Sequence, residues 1–208
     1  MSKYIVVDNT EWTYPDYSFS DYKSGTDSID IFNIKDSYAT VQILINDLAD
    51  GNKLNVKLNG FDAEIFELYP VYVEANPFLN EENSLPHFPE RIAPYYIYDC
   101  LKPFDGNVKV MNGISGIYLS VKTDTDINGT ITINEITIPV KVTVYDIAIN
   151  ETLKFINGYA QRFVATYHNV EYGSESYEEL DSKYLTMLRR MRQNMLYAPG
   201  PVVTELGD

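Results

Sequence analysis

Five aromatic side chains stand among carboxylates near the N-terminus: Trp12, Tyr14, Tyr17, Phe19 and Tyr22, interleaved with Glu11, Asp16 and Asp21. Rings set among carboxylates are what a carbohydrate-binding groove uses. A flat ring covers the apolar face of a pyranose, and carboxylates accept from its hydroxyls. Trp12, Tyr14 and Tyr17 are therefore the candidate sugar contacts. The competing reading makes this stretch an arm whose rings pack onto a sheet, the commoner use of aromatics in edge segments.

A second stretch spells a metal site. Asp124-x-Asp126-x-Asn128-Gly129, five residues and then Glu135 satisfy the calcium-loop pattern of an EF-hand, with Ile131 at its apolar position. That loop needs helices on both sides, and both flanks here alternate like strands. An extended chain advances about 3.3 Å per residue and carries Glu135 away from Asp124. A turn rich in Asp, Asn and Gly explains the same letters, so no metal and no cofactor are expected. His87, His168 and Cys100 lie far apart in the chain, and HExxH, CxxC and GxSxG do not occur. Glu81-Glu82 and Glu178-Glu179 are adjacent carboxylates, but acid–base chemistry needs two carboxyls facing one substrate. No catalytic residue is assigned.

The elements that position these residues are mostly strands. In residues 115–149, Ile117, Leu119 and Val121 alternate with polar neighbours, and Ile131 and Ile133 continue on odd numbers. Ile136, Ile138, Val140, Val142 and Val144 then take even numbers. A two-residue turn at Asn134-Glu135 accounts for the change of parity and sets Ile133 opposite Ile136 and Ile131 opposite Ile138. The spacing predicts three antiparallel strands here, and a short strand over residues 4–7. Four more follow in residues 28–73, arranged as a meander with a hairpin at Asn59-Gly60. Residues 74–105 carry Pro77, Pro86, Pro89, Pro94 and Pro103 and read as a long irregular connection held by Phe78, Phe88, Tyr95, Tyr96 and Tyr98. Residues 155–170 are expected to form a strand. Ser176 with Glu179 then reads as the capping box of a helix with an apolar stripe of Leu180, Tyr184, Met187, Leu188, Met191 and Met195. Residues 201–206 look like a final strand.

These elements predict a mainly β fold, an antiparallel β-sandwich of immunoglobulin or jelly-roll type over residues 1–150. A strand–helix–strand tail follows over 151–208. The net charge of −14 repels phosphate backbones and anionic lipid, so nucleic acid and membrane partners are not expected. One cysteine permits no intrachain disulfide. No signal peptide and no segment of transmembrane length are legible, which leaves the cytoplasm as the default expectation. The methionines of the helix stripe lead to an expected homodimer through that helix.

Residues 91–147 resemble the N-terminal β-sandwich of glycoside hydrolase family 123-like proteins, bacterial proteins that often carry a region called domain of unknown function 4091. Residues 94–99 stand where that family has a proline-rich segment and Tyr118 where it has a strand centred on Trp. Residues 128–133 match its hairpin and residues 142–147 its last sandwich strand. SYATVQILI at residues 37–45 is similar to another family strand, and YLTMLRRMRQNM at residues 184–195 to the first helix of its barrel. The resemblance implies a catalytic Asp-Glu pair on a later barrel strand, and no adjacent Asp-Glu occurs in these 208 residues. A (β/α)8 barrel also needs about 250 residues. The resemblance thus implies an accessory sandwich with the first piece of a barrel, inactive by itself, that supports the barrel or contributes to carbohydrate binding. The alternative is a stand-alone module that binds carbohydrate or protein.

Overall fold

The computed structural model describes residues 3–49, 51, 53–75, 91–148 and 161–190 of the 208. The chain divides into two compact units, Met1–Ala148 and Ile149–Asp208.

The first unit is a two-sheet sandwich. Its strands are β1 (Tyr4–Asp8), β2 (Ile29–Lys35), β3 (Tyr38–Ile45), β4 (Val56–Asn59), β5 (Glu64–Val73), β6 (Tyr95–Pro103), β7 (Ser115–Lys122), β8 (Ile127–Ile133) and β9 (Ile136–Ala148). One sheet has the order β1-β3-β7-β5-β6 and the other β2-β9-β8-β4. Alternation dictates the layers. Val41, Ile43, Ile117, Leu119, Ile131, Ile133, Ile138, Val140 and Val142 project from the two sheets into one buried cluster. Asn33 closes one end of this core, donating from Nδ2 to the carbonyls of Ser37 (3.2 Å) and Thr123 (3.1 Å).

The Asn134-Glu135 turn forms as expected. Ile133 pairs with Ile136 and Ile131 with Ile138, and Asn134 takes the positive φ of 54° that such a turn requires. Other pairings depart from the expectation. β7 does not join β8 and β9; it lies between β3 and β5 in the opposite sheet. Alternation defines a strand's buried face and is silent about which sheet receives it. β4 pairs with β8 rather than β5, so Asn59-Gly60 carries the chain from one sheet to the other instead of closing a hairpin. Gly60, at φ 85°, still makes the turn. The meander is thus replaced by crossings, and β2 pairs with β9 in parallel within otherwise antiparallel sheets.

The expected connection over 74–105 contains a strand. β6 pairs with β5 from Tyr95 to Pro103. Its proline is the last residue of an edge strand, a position where the missing N–H costs no ladder bond. Pro77, Pro86 and Pro89, with Phe78, Phe88, Glu81-Glu82 and His87, lie outside the described residues.

The second unit corrects the tail. Gln161–His168 is helix α1, not a strand, and Glu175–Arg190 is helix α2. Three apolar letters at residues 163–165 suit either element. Packing decides: Val164 and Ala165 are buried against Tyr177, with Leu180, Tyr184, Leu185 and Leu188 beside them. Met187 is exposed and stands off this stripe. The cap is Ser174 rather than Ser176: its Oγ accepts from Tyr177 N (3.2 Å) and its carbonyl from Glu178 N (2.9 Å). Met191, Met195 and the expected strand over 201–206 fall outside the described residues.

Candidate functional site

The stretch between β1 and β2 is an arm laid over the outer face of the five-stranded sheet. Ile5, Val7, Leu44, Leu68 and Tyr98 project to that face and form a second cluster, which Tyr22 joins and which Tyr17 and Phe19 flank. Val6 and Thr26 exchange two backbone hydrogen bonds of 2.9 Å, and Tyr98 N donates to the Thr13 carbonyl (3.0 Å).

Gln42 fastens the arm from beneath. It is a buried polar residue on β3, facing away from the sandwich core. Its Oε1 accepts from Thr13 Oγ1 (2.7 Å), and its Nε2 donates to the carbonyls of Asp8 (3.1 Å) and Glu11 (2.8 Å). Glu11 ties the arm to itself, accepting from Lys23 N, Ser24 N (2.9 Å each) and Ser24 Oγ (2.5 Å). Burial pushes its carboxyl up in pKa, and these hydrogen bonds outweigh burial and leave it below the usual range.

Arg91 secures the far end. Its guanidinium donates from Nη1 to Asp16 Oδ1 (2.7 Å) and from Nη2 to Asp16 Oδ2, and lies 4.8, 5.3 and 5.1 Å from the ring centres of Tyr14, Tyr17 and Tyr95. The hydrogen bond from Arg91 holds the Asp16 carboxyl below its ordinary pKa.

Of the three residues picked from the sequence, the structure brings Tyr14 and Tyr17 together, with ring centres 4.6 Å apart. Tyr14 is only 5% exposed, so these two rings serve the arm and the Arg91 cage. Trp12 is 55% exposed and stands elsewhere. It borders a pocket of about 300 Å³ lined by Asn9, Thr10, Glu11, Trp12 and Thr13 of the arm, with Gln42, Leu68, Tyr98, Asp99, Leu101 and Tyr118 from β3, β5, β6 and β7. Neither Tyr14 nor Tyr17 lines it.

Asp99 reaches this pocket through a β-bulge. Tyr69 pairs with Cys100 and Pro70 with Tyr98, which leaves Asp99 without a Cα partner. Pro70 has no N–H to offer at that point, and the extra residue turns the strand. Tyr98, Asp99 and Leu101 consequently all line one pocket, although adjacent residues of a regular strand point to opposite faces. Asp99, Leu101, Tyr118 and Gln42 are not among the sugar contacts picked from the sequence. The polar glutamine within the apolar run VQILI was the one legible signal among them.

The outer face of the other sheet carries a shallow groove of about 650 Å³ along Asp30, Asn59, Asn128, Thr130 and Lys141. Phe32 and Tyr145, 63% and 51% exposed, stack on this same face with ring centres 5.8 Å apart. Both occupy positions that alternation assigns to solvent, which is why they escaped notice.

The calcium-like text starts between β7 and β8, runs through β8 and ends at Glu135 in the turn to β9. Asp124 Oδ1 accepts from Asp36 N and Asp126 Oδ1 from Val144 N, at 2.8 Å each. These carboxylates tie backbone together across strand ends. Among the described residues no cluster of three or more His, Cys, Asp or Glu side chains could hold a metal ion.

Fold and pocket define a β-sandwich module with a tryptophan at the edge of a surface pocket. No protein-family model matches the chain, and no curated protein matches it in sequence. Among solved structures, a family 123 glycoside hydrolase from Clostridium perfringens, studied for glycolipid glycan hydrolysis, is similar with a TM-score of 0.67 at 12% identity. The match covers 93% of this chain and 37% of the hydrolase; at that identity the likeness is one of fold. This chain therefore spans 37% of the length of that protein. Domains 4 and 5 of the S-layer protein SbsC overlay at a TM-score of 0.26 and 11% identity, over 57% of this chain and 42% of that one, too weakly to support an argument.

Proposed function

We propose that this chain is the non-catalytic accessory β-sandwich of a glycoside-hydrolase-related protein, and that it contributes to carbohydrate binding through the pocket at Trp12. The observation that carries the reading is the overlay of 93% of the chain on 37% of a family 123 hydrolase. The absence of an adjacent Asp-Glu pair from the 208 residues supports the non-catalytic part. The helical second unit stands, in this reading, for the start of a catalytic barrel. An exposed indole beside a pocket at the lower end of ligand-site volumes supports the binding part.

The test has two arms. Incubated with p-nitrophenyl glycosides, the protein is expected to release no more nitrophenol than a heat-killed control, and turnover would overturn the non-catalytic assignment. On a glycan array the chain is expected to bind neutral glycans and Trp12→Ala to lose that signal. A blank array would remove carbohydrate binding and leave only the supporting role.

A further inference from the structure

We propose that the Trp12 pocket receives one terminal, uncharged pyranose and that Asp99 is the residue that selects it. The inference rests on the carbohydrate-binding reading above and goes further in naming the ligand class and the selecting group.

Size sets the first limit. About 300 Å³ is the bottom of the range for small-molecule sites, room for one sugar residue rather than a run of polymer. The indole of Trp12 supplies an apolar wall and Leu101, also exposed, another. Together they suit the C–H face of a pyranose.

The polar groups decide the rest. Most of those near the pocket are already engaged: Glu11 with Lys23 and Ser24, and Gln42 with Thr13, Asp8 and Glu11. Asp99 differs. It is exposed, the bulge brings it to the pocket, and among the described residues its carboxylate meets no hydrogen-bond or salt-bridge partner. An ionised carboxylate only accepts, and its two oxygens can take two neighbouring hydroxyls together. The same charge, on a protein of net charge −14, repels a uronate, a sialic acid or a sulfated sugar. Tyr118, which also lines the pocket, carries a hydroxyl that can both donate and accept.

Trp12 is the sole tryptophan, so its fluorescence reports on this pocket alone. The full chain is titrated at pH 7 with the methyl glycosides of glucose, galactose and mannose. The methyl glycosides of glucuronic and galacturonic acid are run in parallel, and short neutral oligosaccharides follow. At least one neutral monosaccharide is expected to saturate the Trp12 signal, with its uronate bound about tenfold more weakly or not at all. Asp99→Asn should weaken the neutral sugar about tenfold, and Asp99→Lys should reverse the preference toward the uronate. Both substitutions are at an exposed position, and unchanged circular dichroism certifies the fold.

Equal binding of neutral and acidic sugars, or wild-type affinity in Asp99→Asn, would overturn the role of Asp99 while leaving carbohydrate binding intact. Binding of oligosaccharides without any monosaccharide would overturn the single-residue site. A flat Trp12 signal with every sugar, joined to a blank array, would overturn the binding reading itself.

Discussion

Replacing Gln42 by leucine tests whether one buried amide holds the arm, and with it Trp12, in place. The substitution keeps side-chain size and removes three hydrogen bonds: from Thr13 Oγ1 and to the carbonyls of Asp8 and Glu11. Each contributes about 1 kcal/mol net. Thr13 is only 1% exposed, so its hydroxyl has no water to replace the glutamine, and the loss should be about 3 kcal/mol. For a chain of this length that corresponds to a fall in Tm of about 6–12 °C. Urea unfolding followed by Trp12 fluorescence is the assay, with an unchanged m-value marking a stability effect. Thr13→Val in the Gln42→Leu background removes the orphaned hydroxyl and should recover about 1 kcal/mol, although Thr13→Val alone destabilises. That non-additivity is the signature of a direct contact. A Gln42→Leu protein within 0.5 kcal/mol of wild type, or strictly additive effects, would refute the fastening role.

Two further outcomes follow from groups already described. Ser115 is fully buried, and among the described residues its Oγ is the one buried side-chain polar atom without a hydrogen-bond partner. Ser115→Ala should therefore leave stability unchanged or raise it by about 1 kcal/mol, and a loss on urea unfolding would mean that the hydroxyl has a partner. The Asp16 carboxyl has its pKa lowered by Arg91, so its contribution is complete above the unfolded value of about 3.9 and is lost as pH falls through the folded value. The carboxylate is 43% exposed, which limits the effect to about 1 kcal/mol or less. The stability difference between wild type and Asp16→Asn should be constant above pH 5 and shrink as the pH falls below about 4; a difference that grows toward acid would contradict the sign.

What the letters reveal and what they hide divides along a physical line. The switch of parity around Asn134-Glu135 identified the hairpin to the residue, because a two-residue turn leaves one register that buries Ile131, Ile133 and Ile138 together. β7 shows the opposite case. Its alternation is as clear, but the choice of β3 and β5 as neighbours depends on contacts with residues far away in sequence. The aromatic arm was legible as an arm, and the separate fates of its rings were not: Tyr14 is buried beside Arg91, 77 positions later, while Trp12 faces solvent. Asp99 was invisible for a further reason. A bulge is a mismatch between two strands, and neither strand records it by itself. In α1, an apolar run at residues 163–165 fits a strand or a helix equally until Tyr177 packs against it.

The parallel pairing of β2 with β9 has a consequence for the order in which the molecule can be made. Lys35 and Asp146, linked at the end of that ladder, are 111 residues apart. At synthesis rates of about 5–20 residues per second, β2 waits on the order of 5–20 s after leaving the ribosome before its neighbour exists. During that interval Ile29, which is buried in the finished sandwich, has no sheet to enter. A nascent chain released before residue 136 should bind a hydrophobic dye more strongly than the full-length protein does, because the smaller sheet cannot close until β9 has been made.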